Sequence, residues 1–138
     1  MKKYMFFVLV TIFLAVGKAH AQSNPISADI PFDFVVGNST FHGGTYTIRP
    51  NMNGSFLQLR SADQTQVAFL LPFTCSSEMS GLSESKIVFR TVGSHHYLWQ
   101  IWTQGYRTGW EIPAKFKEQD LATAQEFKPE VVLASIAR

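Results

Sequence analysis

One cysteine, Cys75, stands in 138 residues, and a single thiol excludes an intramolecular disulfide framework. Paired-cysteine metal ribbons and C-x-x-C redox motifs fall on the same ground. There is no H-E-x-x-H, no G-x-S-x-G elbow and no Asp-rich loop, so the common zinc-hydrolase, serine-hydrolase and calcium-loop signatures are missing. No apolar run reaches the roughly 20 residues that a membrane-spanning helix needs. Neither an internal repeat nor a low-complexity tract is present.

Charge is also scarce once the N-terminus is set aside. Lys2 and Lys3 precede an uncharged apolar run from Tyr4 to Gly17, and Ala19-His20-Ala21 follows. A short positive region, an apolar stretch of this length and a small-x-small site are the parts of a secretory signal peptide. The expectation is that residues 1–21 are removed after Ala21, leaving no stable membrane anchor. No cysteine near that point offers a lipid attachment site, and no Arg-Arg pair precedes the run, so the general export route is expected. Lys2, Lys3 and Lys18 leave with the signal, so nine of the 12 basic residues face all 10 acidic ones, a net charge of −1. A near-neutral chain has no electrostatic footprint for nucleic acid or anionic lipid. Residues 22–138 are long enough for one domain with its own core, located in the periplasm or outside the cell.

What is present reads as β structure. Short β-branched and aromatic runs alternate with Gly, Asn, Ser and Pro clusters. Ser27 to Val36 reads as one strand with Ile30, Phe32, Phe34 and Val36 on one face, placed at a sheet edge because Pro31 cannot donate to a ladder. Thr45 to Arg49 follows with Tyr46 and Ile48 inward, then a turn over residues 50–54. Phe56 to Arg60 and Gln66 to Phe73 are the next strands, the second apolar enough to be covered on both faces. Thr74 to Ser85 is a polar connection. Lys86 to Val92 and His95 to Thr103 form a hairpin turning at Gly93-Ser94, and Trp110 to Ile112 is one more short strand. Ala114 to Phe127 has a helical composition, leaving a strand or tail over 128–138. The fold class expected is mostly β: one small antiparallel β-sandwich or barrel with one short C-terminal helix.

Candidate chemistry is thin. Asp29 and Asp33 share a strand face but stand roughly 13 Å apart at strand spacing, beyond the about 5–9.5 Å of paired-carboxylate glycosidases. His95 and His96 are adjacent in a strand and point to opposite faces, which works against a shared metal. His42 lies in a Gly-rich turn. Cys75 with a histidine satisfies the bare requirements of a thiol nucleophile and its base, as it does in many inert proteins, and burial is the plainer role for a free Cys. No catalytic residue, metal or cofactor is expected.

The aromatic segment is the one feature above background. Trp99, Trp102 and Trp110 fall within 12 residues, with Tyr97 just before them and Tyr106 among them. Strand alternation puts Tyr97, Trp99 and Ile101 on one face and Leu98, Gln100 and Trp102 on the other. Trp102, Gln100, Tyr106 and Trp110 are therefore the candidate ligand-binding residues, the plainer alternative being that both faces are packed.

Three segments, "IPFDFVVGNSTFHGGTYTI" (30–48), "LQLRSADQTQVAFLL" (57–71) and "KIVFRTVGSHHYLWQIWTQGYRTGWEIP" (86–113), together resemble a group of small secreted bacterial proteins of unknown function. Members open with a P-F-D-F-x-V-G strand and carry a Y-x-L-x-x-I-W-T strand. Here Phe41-His42-Gly43 stands where that group has Leu-Pro-Ala. The resemblance implies export and a single β domain, and brings no activity or site residue. The expected function is an exported, non-enzymatic binding or interaction module for an unknown protein, a glycan or a small apolar ligand. A β-barrel carrier of a small apolar ligand is the alternative, suited by nine Phe after residue 21, and a hydrolase without a recognisable motif is third.

Overall fold

The computed structural model describes residues 24–51, 53–76, 83–123 and 127–137. The export segment with Ala19 and Ala21, residues 77–82 of the polar connection and residues 124–126 of the expected helix lie outside them.

Among the described residues, eleven strands carry the fold: β1 (Ile26–Ile30), β2 (Phe34–Val36), β3 (Ser39–Phe41), β4 (Gly44–Pro50), β5 (Leu57–Ser61), β6 (Val67–Leu70), β7 (Phe73–Ser76), β8 (Ser85–Val92), β9 (His95–Trp102), β10 (Thr108–Glu111) and β11 (Lys128–Ile136). Among the described residues, one helix, α1 (Glu118–Thr123), precedes β11. They form one sheet in the order β3-β2-β9-β8-β11-β1-β4-β5-β6, with β10 joining the second half of β9 and β7 joining β10. Every pairing is antiparallel except β2 with β9. The molecule is the mostly β domain expected, its sheet curled around one main core.

Period-2 alternation builds that core. Ile26, Ala28 and Ile30 of β1, Tyr46 and Ile48 of β4, and Leu57 and Leu59 of β5 are buried with Phe34, Phe41, Leu70, Ile87, Phe89, Leu98 and Ile101. The curl brings the end strands β3 and β6 together through one side chain. Gln66 Oε1 accepts from the His42 amide at 3.0 Å and the Tyr46 hydroxyl at 2.8 Å, and Gln66 Nε2 donates to Thr40 O at 3.3 Å.

Several expectations change. Residues 27–36 are two strands, not one, and neither is an edge: β1 lies between β11 and β4, and β2 between β3 and β9. Pro31, with no N–H to donate, sits in the break between them. Residues 66–73 are not covered on both faces. Only Leu70 is buried, while Val67, Phe69, Leu71 and Phe73 are exposed on the end strand β6 and beyond it. The helix begins at Glu118 rather than Ala114, its described part spanning Glu118–Thr123. The segment that reads as strand or tail is a nine-residue strand hydrogen-bonded to β8 and β1, where it joins the two halves of the sheet.

The hairpin of β8 and β9 turns at Gly93, whose φ of 61° suits a residue without Cβ. Within it the register slips. Val88 pairs with Gln100 but Phe89 with Leu98, so Trp99 has no partner across the ladder. Such a bulge re-aims every side chain after it. Leu98 and Ile101 both enter the main core, so Ile101 does not share a face with Tyr97. Tyr97 instead joins Val35 and Val92 in a second small cluster beneath Ala114 and Phe116, with the Phe116 ring edge-on at 5.0 Å.

Candidate functional site

The four aromatic-segment candidates divide between two faces of β9 and β10. Gln100 and Trp102 share the outer face. Gln100 Nε2 donates to Glu111 Oε2 at 3.2 Å, and Trp102 Nε1 donates to Gln100 Oε1 at 3.2 Å. Trp102 is not an open ring: it is only 7% exposed and lies over the cross-strand Gly109. A Cβ at Gly109 would fall 2.6 Å from Trp102 Cε3 and 2.8 Å from the Ile101 carbonyl oxygen. Glycine is needed there for the ring to cross the strand. Gly109→Ala is therefore expected to cost about 1–3 kcal/mol by overpacking. Urea denaturation measures this, and a loss below about 0.5 kcal/mol would mean that the ring does not lie on the strand.

Tyr106 and Trp110 meet elsewhere. Trp110 pairs with Ile101 and packs on the core edge, and Tyr106, in the turn from β9 to β10, is 59% exposed. Together they line a cleft of about 320 Å³ with Asn24, Pro50, Asn51, Gly54, Thr74, Thr103, Thr108 and Gly109. Among the described residues, no charged side chain lines it. The walls come from the segment before β1, the turn between β4 and β5, the start of β7 and the turn between β9 and β10. Four stretches so far apart in sequence meet only when the sheet curls, which is why only Tyr106 and Trp110 were visible in the sequence. Of the others, Pro50, Asn51 and Gly54 carried a local signal, as parts of one turn.

A second constellation escaped sequence reading altogether. Asp120, on α1 and buried, accepts a hydrogen bond from the Tyr97 hydroxyl and lies 2.8 Å from His95 Nδ1. The Lys117 amide donates to the Tyr97 oxygen at 3.1 Å. Burial pushes the Asp120 carboxyl up, but the bonds from Tyr97 and His95 outweigh it and hold the carboxyl below its ordinary value. Ser94 Oγ lies 3.5 Å from the same His95 Nδ1. A Ser–His–Asp triad needs serine and carboxylate on opposite ring nitrogens. Here both address one nitrogen, so Ser94 gains no base, and the network is a clamp from helix to hairpin.

The remaining candidates are dispersed. His96 Nδ1 meets Thr91 Oγ1 at 3.0 Å and Glu130 Oε2 at 3.2 Å, its ring stacked on Phe32 at 4.0 Å. His95 and His96 thus have different partners, as adjacent strand residues should. His42 Nδ1 lies 3.6 Å from Asp33 Oδ2 in the open, and the Gly43 amide on Asp33 keeps that carboxyl low. Asp29 accepts from Thr45 Oγ1 instead of facing Asp33. Cys75 is half-buried opposite Gly109. Burial and the nearby Glu111 push its thiol up, which keeps it protonated and a poor nucleophile near neutral pH. Among the described residues, no three His, Cys, Asp or Glu side chains gather as a metal would require. No protein-family model, curated protein or solved structure matches the chain.

Proposed function

We propose that this chain is an exported, non-enzymatic binding module whose site is the cleft at Tyr106 and Trp110, and that its ligand is a neutral glycan. The observation that carries the reading is the union of two aromatic rings with uncharged amides and hydroxyls in one open cleft of about 320 Å³. A sugar ring offers an apolar face of C–H bonds and a rim of hydroxyls. Tyr106 and Trp110 suit the face, since rigid aromatic rings supply contact area at little entropy cost. Asn24, Asn51, Thr74, Thr103 and Thr108 suit the rim, as few well-placed polar groups suit a ligand pocket. The lining side chains described carry no charge, which favours a neutral ligand over an acidic one.

Export is supported by the Lys2-Lys3 start, the apolar run and the Ala-x-Ala site. Among the described residues, no helix is long and apolar enough to cross a membrane. The enclosed-carrier alternative has less support, because Leu57, Leu59, Phe89 and Ile101 fill the interior of the sheet with no exposed surface. The hydrolase alternative loses support from the geometry of Ser94, His95 and Asp120.

The test is an array of neutral and acidic glycans probed with the protein lacking residues 1–21, followed by calorimetry on any hit. Tyr106→Ala is expected to weaken binding about 10-fold or more, the loss of one aromatic contact of 1–2 kcal/mol, with the melting temperature unchanged because the ring is exposed. Binding confined to sulfated or uronic glycans, or binding indifferent to Tyr106, would reject the assignment.

A further inference from the structure

The near-neutral charge of residues 22–138, nine basic against 10 acidic, conceals one local concentration of positive charge. Alternation buries Ile48 of β4 and Leu59 of β5, so Thr47, Arg49, Gln58 and Arg60 point to the outer face of the sheet. The ladder pairs Thr47 with Arg60 and Arg49 with Gln58. The two arginines therefore occupy one diagonal of a four-cornered patch, and the threonine and glutamine the other. Diagonal neighbours on such a ladder stand roughly 7–8 Å apart, a spacing that two long side chains can close on one bound group. All four line a cleft of about 440 Å³, walled at one end by Ser61, Ala62 and Gln64 of the turn into β6. Gln64 takes a φ of 61° there, the left-handed conformation that a residue with a Cβ rarely adopts.

We infer that this cleft binds a phosphate monoester, its phosphoryl group held between Arg49 and Arg60. Like charges placed this close repel, and among the described residues no Asp or Glu forms an ion pair with either arginine. The carboxylates flanking the patch are committed elsewhere. Asp63, in the turn, accepts from Ser61 Oγ at 2.6 Å and from Thr65 Oγ1 and the Thr65 amide at 2.8 and 3.1 Å. Asp29 of β1 stands opposite Thr45 and accepts from its hydroxyl. On the other side, β6 sets Val67 opposite Arg60 and Phe69 opposite Gln58, neither of them charged. The class of anion follows from charge and geometry. A carboxylate or a sulfate ester carries a single charge, which one guanidinium can hold through two parallel bonds. A phosphate monoester carries about −1.5 to −2 at pH 7 and three acceptor oxygens, enough to engage both guanidiniums and still accept from the Thr47 hydroxyl or the Gln58 amide. Arginine at both corners suits it better than lysine would, since the planar fork meets phosphate oxygens two at a time. The described linings of this cleft and of the one at Tyr106 and Trp110 share no residue, so the inference stands or falls independently of the proposed function.

Calorimetry of the protein lacking residues 1–21 with phenyl phosphate, phenyl sulfate and the diester methyl phenyl phosphate tests this. Phenyl phosphate is expected to bind about 10-fold or more tightly than either monoanion. Arg49→Gln and Arg60→Gln should each weaken it about 10-fold or more, the loss of a charge-assisted contact. Neither should lower the melting temperature, because both side chains are exposed and their removal relieves repulsion. Arg60→Lys keeps the charge but loses the fork, and should retain only part of the affinity. Tyr106→Ala should leave phosphate binding unchanged. No binding of phenyl phosphate, binding no tighter than that of phenyl sulfate, or binding indifferent to both Gln variants overturns the proposal. Phosphatidylcholine vesicles containing phosphatidic acid then separate two sources of the same group. Capture of the wild type but not of Arg60→Gln, reversed by phenyl phosphate, supports a phosphoryl group carried on a lipid. Phenyl phosphate binding without capture supports a soluble monoester.

Discussion

Phe89→Ala is expected to remove about 3–5 kcal/mol of stability, the usual cost of deleting a buried phenylalanine. Phe89 has no exposed surface, and its place in the sheet makes the upper half of that range the expectation. Its ring meets Phe34 at 5.4 Å and 67°, and Phe32 at 5.1 Å and 85°. Phe34 in turn meets Tyr46 edge-on at 5.1 Å and stacks on Phe41 at 5.6 Å. The chain of rings therefore runs from β8 through β2 to β3 and β4, linking strands far apart in the order of the sheet. Truncation at Phe89 leaves a void that cannot collapse without moving β2, which is held by only two ladder pairs to β9. A domain of this size has a total stability of about 5–15 kcal/mol, so the variant should be partly unfolded at 37 °C. Urea denaturation monitored by tryptophan fluorescence measures the loss, and Phe89→Leu should cost much less because most of the volume remains. A loss below about 1 kcal/mol would show that this ring cluster does not hold the curl.

How much of this could be read from the sequence depends on whether each feature is local. Tyr46 and Ile48 of β4, the hairpin of β8 and β9 and its turn at Gly93 follow from alternation and turn chemistry alone, and all were visible. The features missed are those where a distant strand decides. The apolar run from Val67 to Phe73 resembled a doubly covered strand, but coverage depends on which strand lies alongside, and β6 ends the sheet. Lys128 to Ile136 reads as strand or tail, and its pairing with β8 and β1 decides for the strand. Trp99 displaced the faces of β9 through a bulge that no residue type announces. Trp102 is covered because Gly109 lets its ring cross β10, a fact of register. The cleft at Tyr106 and Trp110 was half legible for the same reason: its aromatic pair lies close in sequence, and its polar walls do not.

The clamp at Asp120 carries the second large expectation. Asp120→Ala should cost about 2–4 kcal/mol, since it strips the acceptor from a buried tyrosine hydroxyl and leaves that donor unsatisfied. Tyr97, Val35 and Val92 would also lose the segment that α1 holds over them. Asp120→Asn keeps an acceptor oxygen and should cost roughly half as much. The carboxylate also makes the clamp pH-dependent. Burial raises the affinity of Asp120 for a proton, but Tyr97, His95 and Lys117 favour the ionised form more strongly, so the folded-state value lies below the ordinary 3.8. The unfolded chain therefore binds the proton more readily than the folded one. The contribution of Asp120 is complete well above pH 4 and is lost as pH falls through 3.8 toward the folded-state value. Asp33 and Asp63 are also held low, so acid will destabilise the wild type and the Asn variant alike through those groups. The difference between the two isolates Asp120. Urea midpoints measured from pH 7 to pH 3 should show the wild-type advantage over Asp120→Asn constant down to about pH 5 and shrinking below pH 4. Tyr97→Phe removes the strongest bond that favours the ionised form, so its acid limb should move to higher pH. Parallel curves for wild type and Asp120→Asn across that range would show that the carboxylate gains nothing from Tyr97 and His95, and the clamp would then be a packing contact alone.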